Sequence, residues 1–264
     1  MQDQAPMRVG FLGFGTIAKR VQQLIAEQAP EQIELVGAVV QDVNKPRPEG
    51  TPKVVASLPE LLALHPEVVV EAGGHEALRT YGVDVLCASV DLLIVSVGAF
   101  AAPGLLEDIT EAARQGKARA RVASGAIGAL DAISSAAVGG LTRVTHTTRK
   151  PPRSLFSSEE AERITQVTEI YRGPAREAAL KFPDNVNVCA AVSLAGIGLD
   201  RTEMCIVADP GVERNQHEVV AEGEFGRLRF EIQNIPTEKP ATGRIVAMSV
   251  FKELMARRAP FLIG

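Results

Sequence analysis

Six residues restrict the fold of this chain more than any others. Gly13-Phe14-Gly15-Thr16-Ile17-Ala18 stands directly after the apolar run Met7–Leu12 and directly before the amphipathic stretch Ile17–Gln28. A GxGxxA pattern between a strand and a helix has a physical reading at each small residue. Gly13 permits the tight turn, Gly15 lets the backbone approach a pyrophosphate, and Ala18 lets helix and strand pack closely. The anion then rests on the helix N-terminus, where unpaired N–H groups and the helix dipole favour negative charge. The pattern predicts a dinucleotide site in the first 20 or so residues.

The next hundred residues agree with a sheet built to carry such a site. Ile33–Val40, Glu67–Val70, Asp91–Val97 and, more weakly, Arg119–Ala123 are further short runs. The first four of the five runs are rich in Val, Ile and Leu with little alternation, as strands buried on both faces should be. Amphipathic stretches such as Leu105–Gln115 lie between them, and Gly116 is a helix stop. Strand and helix in alternation predict a doubly wound parallel sheet of Rossmann type. Ala72-Gly73-Gly74, Gly98-Ala99 and Ser124-Gly125-Ala126 place small residues at three further strand ends, where a flat nicotinamide ribose would pass close to backbone.

The second half reads as α+β. Arg143–Thr148 and Ile164–Arg172 are strand-like, and Glu177–Lys181 and Val186–Leu199 are helical. Thr202–Asp209, Gln216–Gly223 and Gly226–Gln233 are consecutive strands with short turns, which predicts an antiparallel portion. Thr242–Arg257 is a last helix. With 264 residues the chain suits two domains. We expect a dinucleotide-binding domain over 1–125, a second domain over 126–237, and 238–264 packing back on the first.

Composition excludes several classes. The net charge of −4 leaves no basic footprint for nucleic acid. No apolar run reaches the roughly 18 residues of a membrane span, and the N-terminal residues do not read as a charged-then-apolar leader, so none is expected. Three widely spaced cysteines, Cys87, Cys189 and Cys205, form no CxxC pair, which suggests a reducing cytoplasm. No His, Cys or acidic cluster has metal-ligand spacing, so no metal is expected. Preference between NAD and NADP stays open: Asp42 near the end of the second strand suits a ribose hydroxyl, while Lys45 and Arg47 suit a 2′-phosphate.

A proton-handling group near neutral pH must come from few candidates, because only four histidines exist. His65 reads as surface. His75 follows Gly73-Gly74 on the cofactor side. His146 sits in a strand-like VTHTT run and reads as a satisfied structural residue. His217 heads a strand after the Asp209-Pro210-Gly211 turn. Position alone does not choose among the last three. Cys189, within an apolar helix, reads as buried and structural.

Several motifs in order resemble the L-aspartate dehydrogenase family: VGFLGFGTIA, VVVEAGGHEAL, SGAIGALDAI, TTRKPP, FPDNVNVCAAVSLAG and the N-x-H…EGEFG run at Asn215–Gly226. The resemblance covers about Met7 to Phe251. It implies a second domain like that of homoserine dehydrogenase and dihydrodipicolinate reductase. It further implies a homodimer, and oxidation of L-aspartate with NAD or NADP. The product, iminoaspartate, enters NAD biosynthesis or hydrolyses to oxaloacetate and ammonia. The family's active-site histidine falls on His217, and its cofactor contacts on Gly13, Gly15, Thr16, Ile17, Ala126 and Asn187. Gly73 at the third strand end and Asp42 join the expected cofactor residues. Arg149 and Lys150 are the candidate cations for the substrate carboxylates. The chain departs from the family pattern at Lys239-Pro240-Ala241-Thr242-Gly243, so no contact is carried over there. Two other readings are a reductase of the dihydrodipicolinate reductase type, whose paired-histidine motif is missing here, and a nonenzymatic dinucleotide sensor.

Overall fold

A computed structural model describes residues 5–183, 186–235 and 243–262. These divide into two compact units: Met1–Ala123 with Ala247–Phe261, and Ser124–Val246 with Leu262–Gly264.

The first unit holds β1 (Met7–Leu12), α1 (Thr16–Gln28), β2 (Ile33–Val39), β3 (Val54–Val55), α2 (Leu58–Leu62), β4 (Val68–Glu71), α3 (His75–Cys87), β5 (Asp91–Ile94), α4 (Leu105–Gly116) and β6 (Ala120–Val122). Its six strands run parallel in the order β3-β2-β1-β4-β5-β6. Strand order reverses between β1 and β4, and ligands of such sheets bind beyond the carboxyl ends of the strands at that reversal. Val9, Phe11, Leu12 and Val68–Val70 are fully buried, as central strands covered on both faces require. β5 stops at Ile94, short of the expected Val97, because a 3₁₀ turn begins at Val97.

The second unit holds α5 (Leu130–Val138), β7 (Leu141–Lys150), α6 (Ser158–Glu162), β8 (Thr168–Pro174), α7 (Ala175–Lys181), α8 (Asn187–Ala195), β9 (Glu203–Ala208), β10 (Gln216–Gly223) and β11 (Gly226–Gln233). The five strands are ordered β11-β10-β7-β9-β8. The expected run of three neighbouring strands is therefore split. β10 and β11 form an antiparallel hairpin, but β7 lies between β9 and β10, parallel to β9 and antiparallel to β10. Residues 209–215 give the chain enough length to step over one strand, about 10 Å across two inter-strand spacings. Ile133 of α5 and Val188 and Val192 of α8 pack with Val144, Val219 and Ala221 of the sheet in one core. α8 is shorter than expected and ends at Ala195, before Gly196 and Gly198, the latter at φ +83°.

The last helix, α9 (Ile245–Ala256), begins after residues 236–242, which lie outside the described ones and include Thr242 of the expected helix. Its Leu254 is fully buried, Glu253 pairs with Arg121, and Arg257 just beyond it pairs with Asp91.

Candidate active site

In the first unit, the turn between β1 and α1 is shaped by close backbone contact. Gly13 sits at φ +83°, and a Cβ there would lie 2.5 Å from Gly73 Cα. A Cβ on Gly73 would in turn meet Ala77 Cβ at 2.8 Å and Leu12 O at 3.0 Å. Gly15 differs: a Cβ on it would meet nothing within 4 Å. It caps α1 without a side-chain hydrogen bond, and the first turn of α1 holds no acidic residue. The N–H groups at Thr16 and Ile17 therefore head a helix terminus open to an anion, the cradle that a dinucleotide pyrophosphate needs. A cavity of about 910 Å³ beside it is lined by Gly13, Gly15, Gln41, Asp42, Arg47 and Gly73, among others.

Beyond β2, Asp42 Oδ1 accepts a hydrogen bond from Asn44 N at 2.9 Å. The Arg47 guanidinium turns onto its own loop and donates to the carbonyls of Asp42 and Lys45. Acidic and basic candidates thus line one cavity, with Arg47 partly engaged.

Sequence reasoning passed over Glu71. This fully buried carboxylate ends β4 and accepts hydrogen bonds from the backbone N–H of Gly73, Gly74, Val95 and Ser96 and from Ser96 Oγ. Burial raises its pKa, and the hydrogen bonds from Ser96, Gly74 and Val95 act against the rise. It ties the loop after β4 to the loop after β5, so the close approach of Gly73 to Gly13 rests on a buried carboxyl group. The signal available was a lone Glu closing a VVV run before two glycines. His75 opens α3 and is half-buried, and His65 is exposed on the loop before β4.

In the second unit, alternation along β7 sorts its side chains. Val144, His146, Thr148 and Lys150 are buried, whereas Thr145, Thr147 and Arg149 are half-buried on the other face. His217 of β10 lies opposite Thr148, and Val219 opposite His146. His217 Nδ1 and His146 Nε2 are 3.2 Å apart, with the rings stacked at 19°. Lys150 is close enough to both imidazoles to depress their pKa values. Burial is the larger cause for each, and it pushes His217 down to about 3. Both rings are therefore neutral at physiological pH.

The expected reading of His146 as satisfied does not hold: it is fully buried, yet its Nδ1 has no hydrogen-bond partner among the described residues. Of the two candidate cations, Lys150 shares the imidazole face, and Arg149 on the opposite face pairs with Asp209 at 2.8 Å. Asn187 is the first residue of α8. Ala126 lies in the loop before α5, where its carbonyl accepts a hydrogen bond from Asn234 Nδ2 at 3.2 Å. Cys189 is buried, and burial pushes its thiol up to about 12, far from a reactive thiolate.

Known proteins share both units. Residues 131–257 match the family described as "Aspartate dehydrogenase, C-terminal", and residues 13–123 match "Homoserine dehydrogenase, NAD binding domain". An L-aspartate dehydrogenase of Ruegeria pomeroyi is 39% identical over 261 residues, covering 96% of this chain and 93% of that protein. The chain belongs to the L-aspartate dehydrogenase family. The crystal structure of aspartate dehydrogenase from Thermotoga maritima superposes with a TM-score of 0.82 at 27% identity, covering 98% of this chain and 99% of that one. A hyperthermophilic archaeal homoserine dehydrogenase in complex with NADPH shares the fold alone, with a TM-score of 0.62 at 11% identity over 98% of this chain and 100% of that one. The family's two-part plan matches what the glycine turn and the imidazole face require separately. The departure at Lys239–Thr242 lies outside the described residues. Among those described, no helix is long and apolar enough to cross a membrane.

Proposed function

We propose that this chain oxidises L-aspartate at Cα with NAD or NADP, giving iminoaspartate, which hydrolyses to oxaloacetate and ammonia. The observation that carries this reading is kinship with an L-aspartate dehydrogenase over nearly the whole of both chains. The chemistry of the residues supports it. Gly13, Gly15, Thr16, Ile17 and Gly73 would hold the cofactor phosphates, Asp42 the adenosine ribose, and Ala126 and Asn187 the nicotinamide end. When bound, the cofactor supplies a hydride acceptor.

Aspartate arrives with its amine protonated, and no hydride leaves Cα until that proton is removed. His217 is the base in this reading. Its imidazole is neutral, its Nε2 makes no hydrogen bond among the described residues, and the residue keeps some exposure where His146 has none. A pKa near 3 makes His217 a weak base by itself. A dicarboxylate bound beside Lys150 adds negative charge there, offsets the ammonium and raises that pKa toward the working range. Lys150 binds one substrate carboxylate. Arg149 lies on the opposite face of β7, paired with Asp209, so this reading assigns it no carboxylate. A homodimer and a cytoplasmic location are part of the same reading and rest on the family resemblance and the cysteine usage.

The test is NAD(P)H absorbance with L-aspartate at alkaline pH, with other amino acids as controls. Turnover should be selective for aspartate. His217→Ala should lower kcat by roughly 10²–10⁴-fold, the usual loss for a general base, with cofactor affinity retained. A cofactor-induced melting shift without aspartate turnover would point to a sensor instead. Full turnover by His217→Ala would remove His217 from the mechanism.

A further inference from the structure

The second histidine on the imidazole face is not the base and does not reach the substrate. His146 is fully buried, and its Nε2 is 3.2 Å from His217 Nδ1. Its Nδ1 is sealed from solvent without a partner among the described residues, a cost that a merely structural side chain would not carry. Leu, Phe or Met would fill the same space between Val144 and Thr148 without it.

Two neutral imidazoles joined nitrogen to nitrogen share one proton between them, so two arrangements exist. In one, His146 Nε2–H donates to His217 Nδ1. His217 then carries its own proton on Nε2, and that nitrogen has no lone pair for a substrate. In the other, His217 Nδ1–H donates to His146 Nε2. The lone pair of His217 then sits on Nε2, the nitrogen not engaged with His146, and His146 keeps its proton on Nδ1.

We propose that His146 is a positioning residue that accepts the hydrogen bond from His217 Nδ1–H and so holds the reactive lone pair of His217 on Nε2. This rests on His217 acting as the base. When Nε2 takes the ammonium proton, the Nδ1–H···Nε2 bond persists unchanged and its acceptor now faces an imidazolium. No group has to turn over during the step, which is what a preorganised site requires. The stacked rings and the register of Thr148 against His217 keep the two nitrogens in line.

Three variants and one spectrum test this. His146→Phe keeps the ring but has no acceptor. It should lower kcat about 10–100-fold, the range for loss of an outer partner that orients a functional histidine. KM for aspartate and the cofactor Kd should stay within about twofold. His146→Gln offers an amide oxygen near the position of Nε2 and should recover most of kcat, whereas His146→Leu should behave as His146→Phe does. Long-range ¹H–¹⁵N correlation of the ¹⁵N-histidine protein, which has four histidines to assign, should show His217 protonated on Nδ1. Wild-type kcat in His146→Phe would overturn the proposal. So would equal loss in the Gln and Phe variants, or a His217 ring protonated on Nε2. A wild-type chain without aspartate turnover would refute the proposed function instead, and the spectrum would still decide the tautomer.

Discussion

Two glycines, two positions apart, have different work in the nucleotide turn. Gly13 answers to the protein: its φ of +83° and the backbone 2.5 Å from where a Cβ would stand leave no room for a side chain. Gly15 does not answer to the protein, because a Cβ there meets nothing within 4 Å, and the proposed cofactor is the reason left for it. Gly13→Ala should therefore lower stability by roughly 2–4 kcal/mol through strain and overpacking. Gly15→Ala should change stability by less than about 1 kcal/mol. It should nonetheless weaken cofactor binding about tenfold or more, equivalent to ~1.4 kcal/mol. Urea titration and cofactor titration of both variants check this, and equal stability losses would show that Gly15 is also a packing residue. Both glycines were legible in the sequence because the pattern encodes a local turn. Glu71 was not, since its five donors come from two loops that only the parallel pairing of β4 with β5 brings together.

Among the elements, β7 decides most about the imidazole face. It is the middle strand of its sheet and carries His146, Thr148 and Lys150 on one side and Thr147 and Arg149 on the other. Its strand character over Arg143–Thr148 was visible in the sequence, but its period-two burial and the identity of its neighbours were not. Local turn signals between consecutive strands favoured a meander, and the inserted strand came from more than 50 residues upstream. The upper part of that face is held by α5 and α8, with Ile133 fully buried among Val144, Val192 and Val219. Ile133→Ala should cost roughly 2–5 kcal/mol by lost burial and a residual cavity. A urea midpoint unchanged from wild type would mean that α5 is not part of the core that supports the strands.

For the whole molecule, the two buried imidazoles predict a particular acid sensitivity. The folded-state pKa of His217 is about 3 against an ordinary value of 6.5, and that of His146 is also lowered well below 6.5. The unfolded chain then binds more protons than the folded chain below pH 6.5, so stability falls as pH falls from there toward the folded pKa. Each buried neutral histidine contributes a loss of up to ~1.4 kcal/mol per pH unit in that window. Stability measured by urea between about pH 7 and pH 5 should drop more steeply in wild type than in His146→Phe, by about 2 kcal/mol over the range. Parallel slopes would show that His146 is protonated in the folded chain.

By itself the sequence determined the parallel sheet, the glycine turn, the hairpin of β10 and β11, and a short field of candidate histidines. These are properties of local pattern: burial on two faces, a turn that admits no Cβ, a scarcity of titratable side chains. Tertiary structure decided which strand lies beside β10, that Lys150 rather than Arg149 shares a face with His217, and that His146 is bonded to His217 instead of resting as a satisfied core residue. The reason is separation along the chain. His146 and His217 are 71 positions apart, and one hydrogen bond between them depends on a strand register that no local signal encodes.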